Sequence, residues 1–293
     1  MFIYTIIFRI LERNKFYMKE KIDMHIHTIA SDGSYSAKEI LFMSQKSGIN
    51  TISITDHDTF AESKKALLVC SQYNINVIPG IELTAEEDNT IFHILGYYID
   101  FNNPELNAYL LYIQECRVQE ILHVIKKLKQ HGISINVSSV IKEFGSLNTT
   151  NISKWICSRN KELSPKDIYK KYFIQNGLAY VRKEKIAVKE AIQLINASGG
   201  FAVWAHPLLN NLSEREFFDK LNCMIKWGLQ GIEVYHPSQK NYKILKSIAT
   251  SNNLFITGGS DFHNMQQTLG KAFGEIYISL DMLSFPTYTQ KRK

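Results

Sequence analysis

Between Asp23 and His263 six histidines, together with the carboxylates Asp32, Glu82 and Asp261, fall in short clusters, nearly all at the end of a short apolar run or within one. They read Asp23-Met24-His25-Ile26-His27, Ser31-Asp32-Gly33, Thr55-Asp56-His57-Asp58, Gly80-Ile81-Glu82, His93, Ala205-His206-Pro207 and Gly259-Ser260-Asp261-Phe262-His263. Imidazole and carboxylate are the ligand set of divalent first-row metals. Nine such groups exceed what one ion takes and suit a polynuclear centre. That constrains the fold, because only an architecture in which many strand ends meet can gather residues so far apart in sequence. Taken singly, His93 or His206 reads as a hydrogen-bonded core histidine, and Asp261 as a turn cap. Together at strand ends they do not. His25 and His27, two apart on one strand, share a face. Asp56 and Asp58 are expected to orient imidazoles, and His123, His131 and His236 are set aside as surface or core histidines.

Elements follow from pattern and punctuation. Strands are expected over 21–26, 51–55, 77–83 and 91–98, with helices between them opened by capping boxes Ser36-x-x-Glu39 and Thr59-x-x-Glu62. This β-α-β-α-β order predicts a parallel sheet or barrel. From Pro104 the period changes, and Leu106, Leu110, Ile113, Arg117, Ile121, Val124, Ile125 and Leu128 trace a long helix ending at Gly132. Alternation resumes after about residue 186: helices 187–197, 213–227 and 239–251, and strands 201–205, 231–235 and 254–257. The expected class is α/β, a (β/α) barrel over 20–100 and 187–285 with a helical insert at 101–186. In such a barrel the ligand-bearing strand ends meet at the C-terminal rim.

Four cysteines without CxxC spacing read as reduced thiols of a cytoplasmic protein. The apolar start MFIYTIIFRI is a poor signal peptide and too short to span a bilayer, so residues 1–19 are expected to be an N-terminal extension. Residues 101–195 hold 15 basic against 8 acidic residues, whereas residues 1–100 hold 9 against 13. The insert is therefore either a solvated Lys-rich surface or a lobe that attracts polyanions.

The pattern DxHxHTxxSDG…TDHD…GxE…H…AHP…GSDFH resembles the PHP (polymerase and histidinol phosphatase) family of metal-dependent phosphoesterases over roughly residues 20–280. Within that family it is most similar to the bacterial branch that dephosphorylates 3′,5′-nucleoside bisphosphates and trims RNA from its 5′ end. The resemblance implies a distorted seven-stranded (β/α)7 barrel and three ions, usually manganese, with zinc or iron as alternatives. It implies that His25, His27, Glu82 and Asp261 hold one ion, that Asp32, His57 and His263 hold a second, and that Glu82, His93 and His206 hold a third, with Glu82 bridging. The expected reaction is hydrolysis of a nucleotide phosphomonoester, or of a terminal phosphodiester of short RNA, by a metal-bound hydroxide. Glu82, His57 and Asp261 would act through the ions and their water.

The Gly-Arg-x-His element usual in the insert of such enzymes is absent, and Leu147–Lys154 stands in its place. Lys154, Arg159 and Arg182 are the candidate substrate-binding replacements. Two rivals stay open. A phosphatase of the histidinol phosphate type would lack reason for the Ser31-Asp32-Gly33 element. An amidohydrolase-type C–N hydrolase would carry a bridging lysine where Glu82 stands.

Overall fold

The computed structural model describes residues 20–145, 147–160, 163–272 and 276–284. The N-terminal extension expected over residues 1–19 lies outside them. The chain divides into two compact units, one made of the residues up to Phe101 together with those from Val188 onward, the other Asn102–Ala187.

In the first unit, β1 (Lys21–Ile26), β2 (Ile49–Ile54) and β3 (Asn76–Val77) form a parallel sheet in that order. Helix α1 (Ala37–Lys46) begins at a complete Ser36/Glu39 capping box and buries Ala37, Ile40 and Leu41. These pack with Ile26, Ile49, Ile52, Ile54 and Phe262 into one core cluster. Helix α2 (Ala61–Val69) departs from expectation. Its N-cap is Phe60, without a side-chain cap bond. The Glu62 carboxylate instead accepts from the Ala37 amide at 2.6 Å, so tertiary contact takes the group that a capping box would have used.

Strands β4 (Gly80–Glu87) and β5 (Thr90–Tyr97) correct the expected parallel order. They form an antiparallel hairpin in which Thr84 faces His93. The connecting Asp88 and Asn89 have φ of 51° and 60°, the left-handed pair of a type I′ turn, which matches the strand twist. Strand β5 also pairs antiparallel with β7 (Phe201–Trp204), and β7, β8 (Gly231–Tyr235) and β9 (Phe255–Gly258) then run parallel. Helices α7 (Val188–Ala197), α8 (Glu214–Trp227) and α9 (Tyr242–Ser251) alternate with these strands. Single parallel bridges, Ile26 to Phe262 and His57 to Glu82, tie the three-stranded sheet to the larger one. The paired β10 (Lys271–Ala272) and β11 (Ile276–Tyr277) follow β9.

The second unit comprises α3 (Pro104–Gln130), α4 (Val137–Phe144), α5 (Thr149–Arg159) and α6 (Pro165–Tyr172), ending on β6 (Ile186–Ala187). Asn103 caps α3 and Pro104 opens it, where a missing N–H costs nothing. Its stripe buries Ile121, Val124 and Leu128 against Val140, Ile152, Trp155, Ile168 and Tyr172, a core separate from the first. No described helix is long and apolar enough to cross a membrane.

Candidate metal centre

Strand β1 carries His25 on its last turn of pleat and releases His27 just beyond its end. Their Nε2 atoms stand 3.1 Å apart. Glu82 Oε2 lies 3.3 Å from His25 Nε2 and 3.2 Å from His27 Nε2. Asp261 Oδ1 lies 3.4 and 3.1 Å from the same two nitrogens. Ligands about 2.0–2.1 Å from one cation stand about 3.0–3.4 Å from each other, and these atoms meet that spacing.

Glu82 turns its other oxygen to a second constellation. Oε1 is 3.3 Å from His93 Nδ1 and 3.2 Å from His206 Nε2, and those two nitrogens are 3.3 Å apart. A third group comprises His27, Asp32, His57 and His263, with Asp32 Oδ1 3.4 Å from His263 Nε2 and Asp32 Oδ2 4.0 Å from His57 Nε2. All nine expected side chains thus fall into overlapping groups of donor atoms. Two reach the site differently from the sequence reading. Glu82 is the third residue of β4 rather than near the end of its strand, and His93, expected on the fourth strand of a parallel order, sits inside an antiparallel one.

One atom tests whether cations fit. Glu82 Oε2 is buried and lies within 3.1–3.3 Å of nitrogens of His25, His27 and His57, yet it forms no hydrogen bond with any of them. Donor atoms crowded at this distance without hydrogen-bond alignment are the arrangement of a common cation, and an orphaned buried carboxylate oxygen is otherwise costly.

The electrostatics agree. Burial alone would strip the proton from His27, but Asp261 and Glu82 outweigh it and hold the imidazole up at about 10. Burial opposes a charge on His25 too, and Glu233, Glu82 and Asp261 still raise it well above its usual value. Burial pushes His57 down to about 3 despite Glu82 beside it, with His27 and His93 adding to the fall. Burial also opposes ionisation of Glu82, yet His57, His25 and His93 hold it well below the usual carboxylate range. Without ions, protons on His25 and His27 thus stand in for positive charge. Because His27 holds its proton more tightly folded than unfolded, the ion-free fold gains from it fully below about pH 6.5 and loses that gain as pH rises towards 10. Binding of a divalent cation at neutral pH is therefore expected to expel protons from these imidazoles and to strengthen as pH rises. Calorimetry in buffers of differing ionisation enthalpy measures the release, and a buffer-independent enthalpy would contradict it.

Hydrogen bonds fix the ligand loops. Asp23 accepts from the Ser260 and Gly270 amides at 2.9 and 2.6 Å, tying β1 to the segment that carries Asp261. Asp56 accepts from the Thr28 amide at 2.7 Å and from the Thr28 and Ser31 hydroxyls, so it holds the loop after His27. Asp58 accepts from the Thr84 amide at 2.8 Å. Behind His25 stands another carboxylate, Glu233, 3.0 Å from its Nδ1. His236, set aside in the sequence, is buried with Nε2 3.2 Å from Asp261 Oδ2. It follows the apolar strand β8 much as His206 follows β7, and that signal was available. The three candidate substrate cations all lie in the insert. Arg159 is bound to Glu143 at 2.6 Å and Ser139 at 3.0 Å and stacked on Trp155. Lys154 Nζ lies 3.5 Å from Asn151 Oδ1, and Arg182 lines a cleft with Tyr112, Glu120 and His123.

The PHP domain family matches residues 23–181, just over half of the chain. The chain belongs to the PHP family. Among its PHP relatives, a 5′-3′ exoribonuclease of Haemophilus influenzae is 28% identical over 84% of this chain and 91% of its own length. A phosphoribosyl 1,2-cyclic phosphate 1,2-diphosphodiesterase of Eggerthella lenta is 27% identical over 82% and 93%. A 3′,5′-nucleoside bisphosphate phosphatase of Chromobacterium violaceum is 26% identical over 83% and 87%. The crystal structure of a putative metal-dependent phosphoesterase from Bifidobacterium adolescentis shares the fold with a TM-score of 0.76, covering 89% of this chain and 93% of that one at 24% identity.

Proposed function

We propose that this PHP protein is a metal-dependent phosphoesterase that hydrolyses nucleotide phosphates. Its reaction would convert a 3′,5′-nucleoside bisphosphate to the nucleoside 5′-phosphate, with removal of nucleotides from RNA 5′ ends as the related activity. The observation that carries the reading is the split Glu82 carboxylate, one oxygen in each of two donor constellations 3.1–3.4 Å in spacing. In this assignment His25, His27, Glu82 and Asp261 hold one cation, Asp32, His57 and His263 a second, and Glu82, His93 and His206 a third. Manganese suits the imidazole and carboxylate donors, as iron and zinc also do. Cations held by these residues would supply Lewis-acid polarisation of a phosphoryl oxygen and would acidify an attacking water.

The chain's own part is to hold these donors rigid. The buried carboxylates and imidazoles keep the floor of the site dry and fix the donor atoms before substrate arrives. No protein nucleophile enters the reading. On the same reading the two sheets form one distorted barrel, joined by the Ile26–Phe262 and His57–Glu82 bridges. The four cysteines are free thiols, which supports a cytoplasmic setting.

The named relatives include an exoribonuclease, a bisphosphate phosphatase and a cyclic-phosphate diesterase, so the substrate test must span all three. With added Mn2+, the purified protein is expected to release phosphate from adenosine 3′,5′-bisphosphate and mononucleotides from short 5′-phosphorylated RNA. It is expected to turn over histidinol phosphate and a ribosyl 1,2-cyclic phosphate far more slowly, and to lose activity in EDTA. Turnover of the bisphosphate undiminished by EDTA would refute the metal-dependent assignment.

A further inference from the structure

Strand β8 contributes none of the nine donors, although it lies between β7 and β9, which lead to His206 and to Asp261 and His263. Its interior nevertheless carries a fully buried carboxylate, Glu233, among Ile232, Val234 and Tyr235. A buried charge of this kind costs several kcal/mol unless its partners are well placed. Both oxygens have such partners. Oε1 is 3.0 Å from His25 Nδ1, and Oε2 accepts from the His206 amide at 2.8 Å.

We propose that β8 is a positioning strand for the metal centre: Glu233 orients donors of two different cation positions, and His236 orients a third donor, Asp261. The proposal rests on the metal-centre reading above. An ionised carboxylate can only accept, so it keeps a proton on His25 Nδ1, and a cation would then take the Nε2 lone pair beside Glu82 and Asp261, 3.3 and 3.4 Å away. The second Glu233 bond holds His206 by its backbone. That residue has φ of 27°, a left-handed conformation that a residue with a Cβ adopts only under restraint. His25 belongs to the first constellation and His206 to the one shared by Glu82 and His93. One carboxylate therefore serves both.

His236 shows the same logic with its roles reversed. The Asp261 carboxylate can only accept, so the ring proton of His236 sits on Nε2, and Nδ1 accepts from the Ser238 hydroxyl at 2.7 Å and the Ser238 amide at 3.2 Å. Nε2–H then donates to Asp261 Oδ2 at 3.2 Å and leaves Oδ1 to the His25/His27 pair. Asp261 also has a left-handed backbone, φ 51°.

Glu233→Gln separates this role from simple packing, because the amide keeps the shape and cannot make both bonds. With its oxygen towards His25, its NH2 meets the His206 N–H, donor against donor. Flipped, its NH2 donates to His25 Nδ1, forces the proton onto Nε2 and blocks that donor. Mn2+ stoichiometry and affinity of ion-free wild-type protein, Glu233→Gln and His236→Phe would be measured by calorimetry and elemental analysis, with ion-free melting temperatures alongside. The expected result is about 10–100-fold weaker Mn2+ binding at two positions in Glu233→Gln and at one in His236→Phe, with little change in ion-free melting. Wild-type stoichiometry and affinity in both variants would overturn the proposal, as would a fall in ion-free melting with Mn2+ affinity intact. Should Glu233→Gln not fold, His236→Phe decides by the same readout. A wild-type chain that binds no Mn2+ overturns the metal-centre reading and this proposal with it, a result distinct from unaltered variants of a metal-binding wild type.

Discussion

Glu82→Ala is expected to lower kcat/KM for a 3′,5′-nucleoside bisphosphate by at least about 10³-fold, roughly 4 kcal/mol of transition-state stabilisation. The reason is that Glu82 stands in two constellations at once. Its Oε2 lies by His25, His27 and His57, and its Oε1 by His93 and His206. Removing it leaves two cation positions short of a negative ligand, whereas loss of an outlying group such as Asp32 touches one. The fold should survive, because Ile81 and Leu83, on the other face of β4, carry the packing. Far-ultraviolet circular dichroism and an Mn2+ count per chain accompany the kinetics. Turnover within tenfold of wild type would remove the basis for the assignment.

Gly259→Ala is expected to destabilise the ion-free protein by about 3 kcal/mol and to dislodge His25. A Cβ there would collide with the Cβ and backbone nitrogen of His25 and lie 2.7 Å from its Cα. None of these atoms can yield, since β1 is pinned by Asp23 to the Ser260 amide. Forced overpacking of this kind costs about 1–3 kcal/mol or more, which for a chain of this size is roughly 6–12 °C in Tm. Gly48→Ala is the control. Gly48 has φ of 68° with nothing within 4 Å of a would-be Cβ, so only backbone strain of about 1 kcal/mol is expected. Thermal unfolding in EDTA compares the two, and equal losses would show that the close approach at His25 is not rigid.

Much of the site was legible because its chemistry is written in residue types. Imidazoles and carboxylates ending apolar runs announce ligands whatever the route by which they meet. The α3 stripe and the Ser36/Glu39 box were legible for a related reason, being local patterns with local causes. The failures were of two kinds. The antiparallel course of β5 turns on Asp88-Asn89, a pair without glycine whose left-handed conformation shows only in the fold. The Thr59/Glu62 box failed because a distant amide, that of Ala37, competes for Glu62. Glu233 offered no local signal at all: a single glutamate in an apolar run looks the same whether it is exposed or buried against a ligand 208 residues away.

By itself, the sequence determined which groups are available to bind cations, which segments are strands and helices, and where a helical insert interrupts them, since these follow from side-chain chemistry and periodicity. Only the tertiary structure decided which oxygen of Glu82 faces which histidine, that Arg159 pairs with Glu143, and that Glu233 and His236 stand behind His25, His206 and Asp261. Those outcomes depend on distances of about 3 Å between residues remote in the chain. Strand pairing and core packing set such distances; the order of residues along the chain does not.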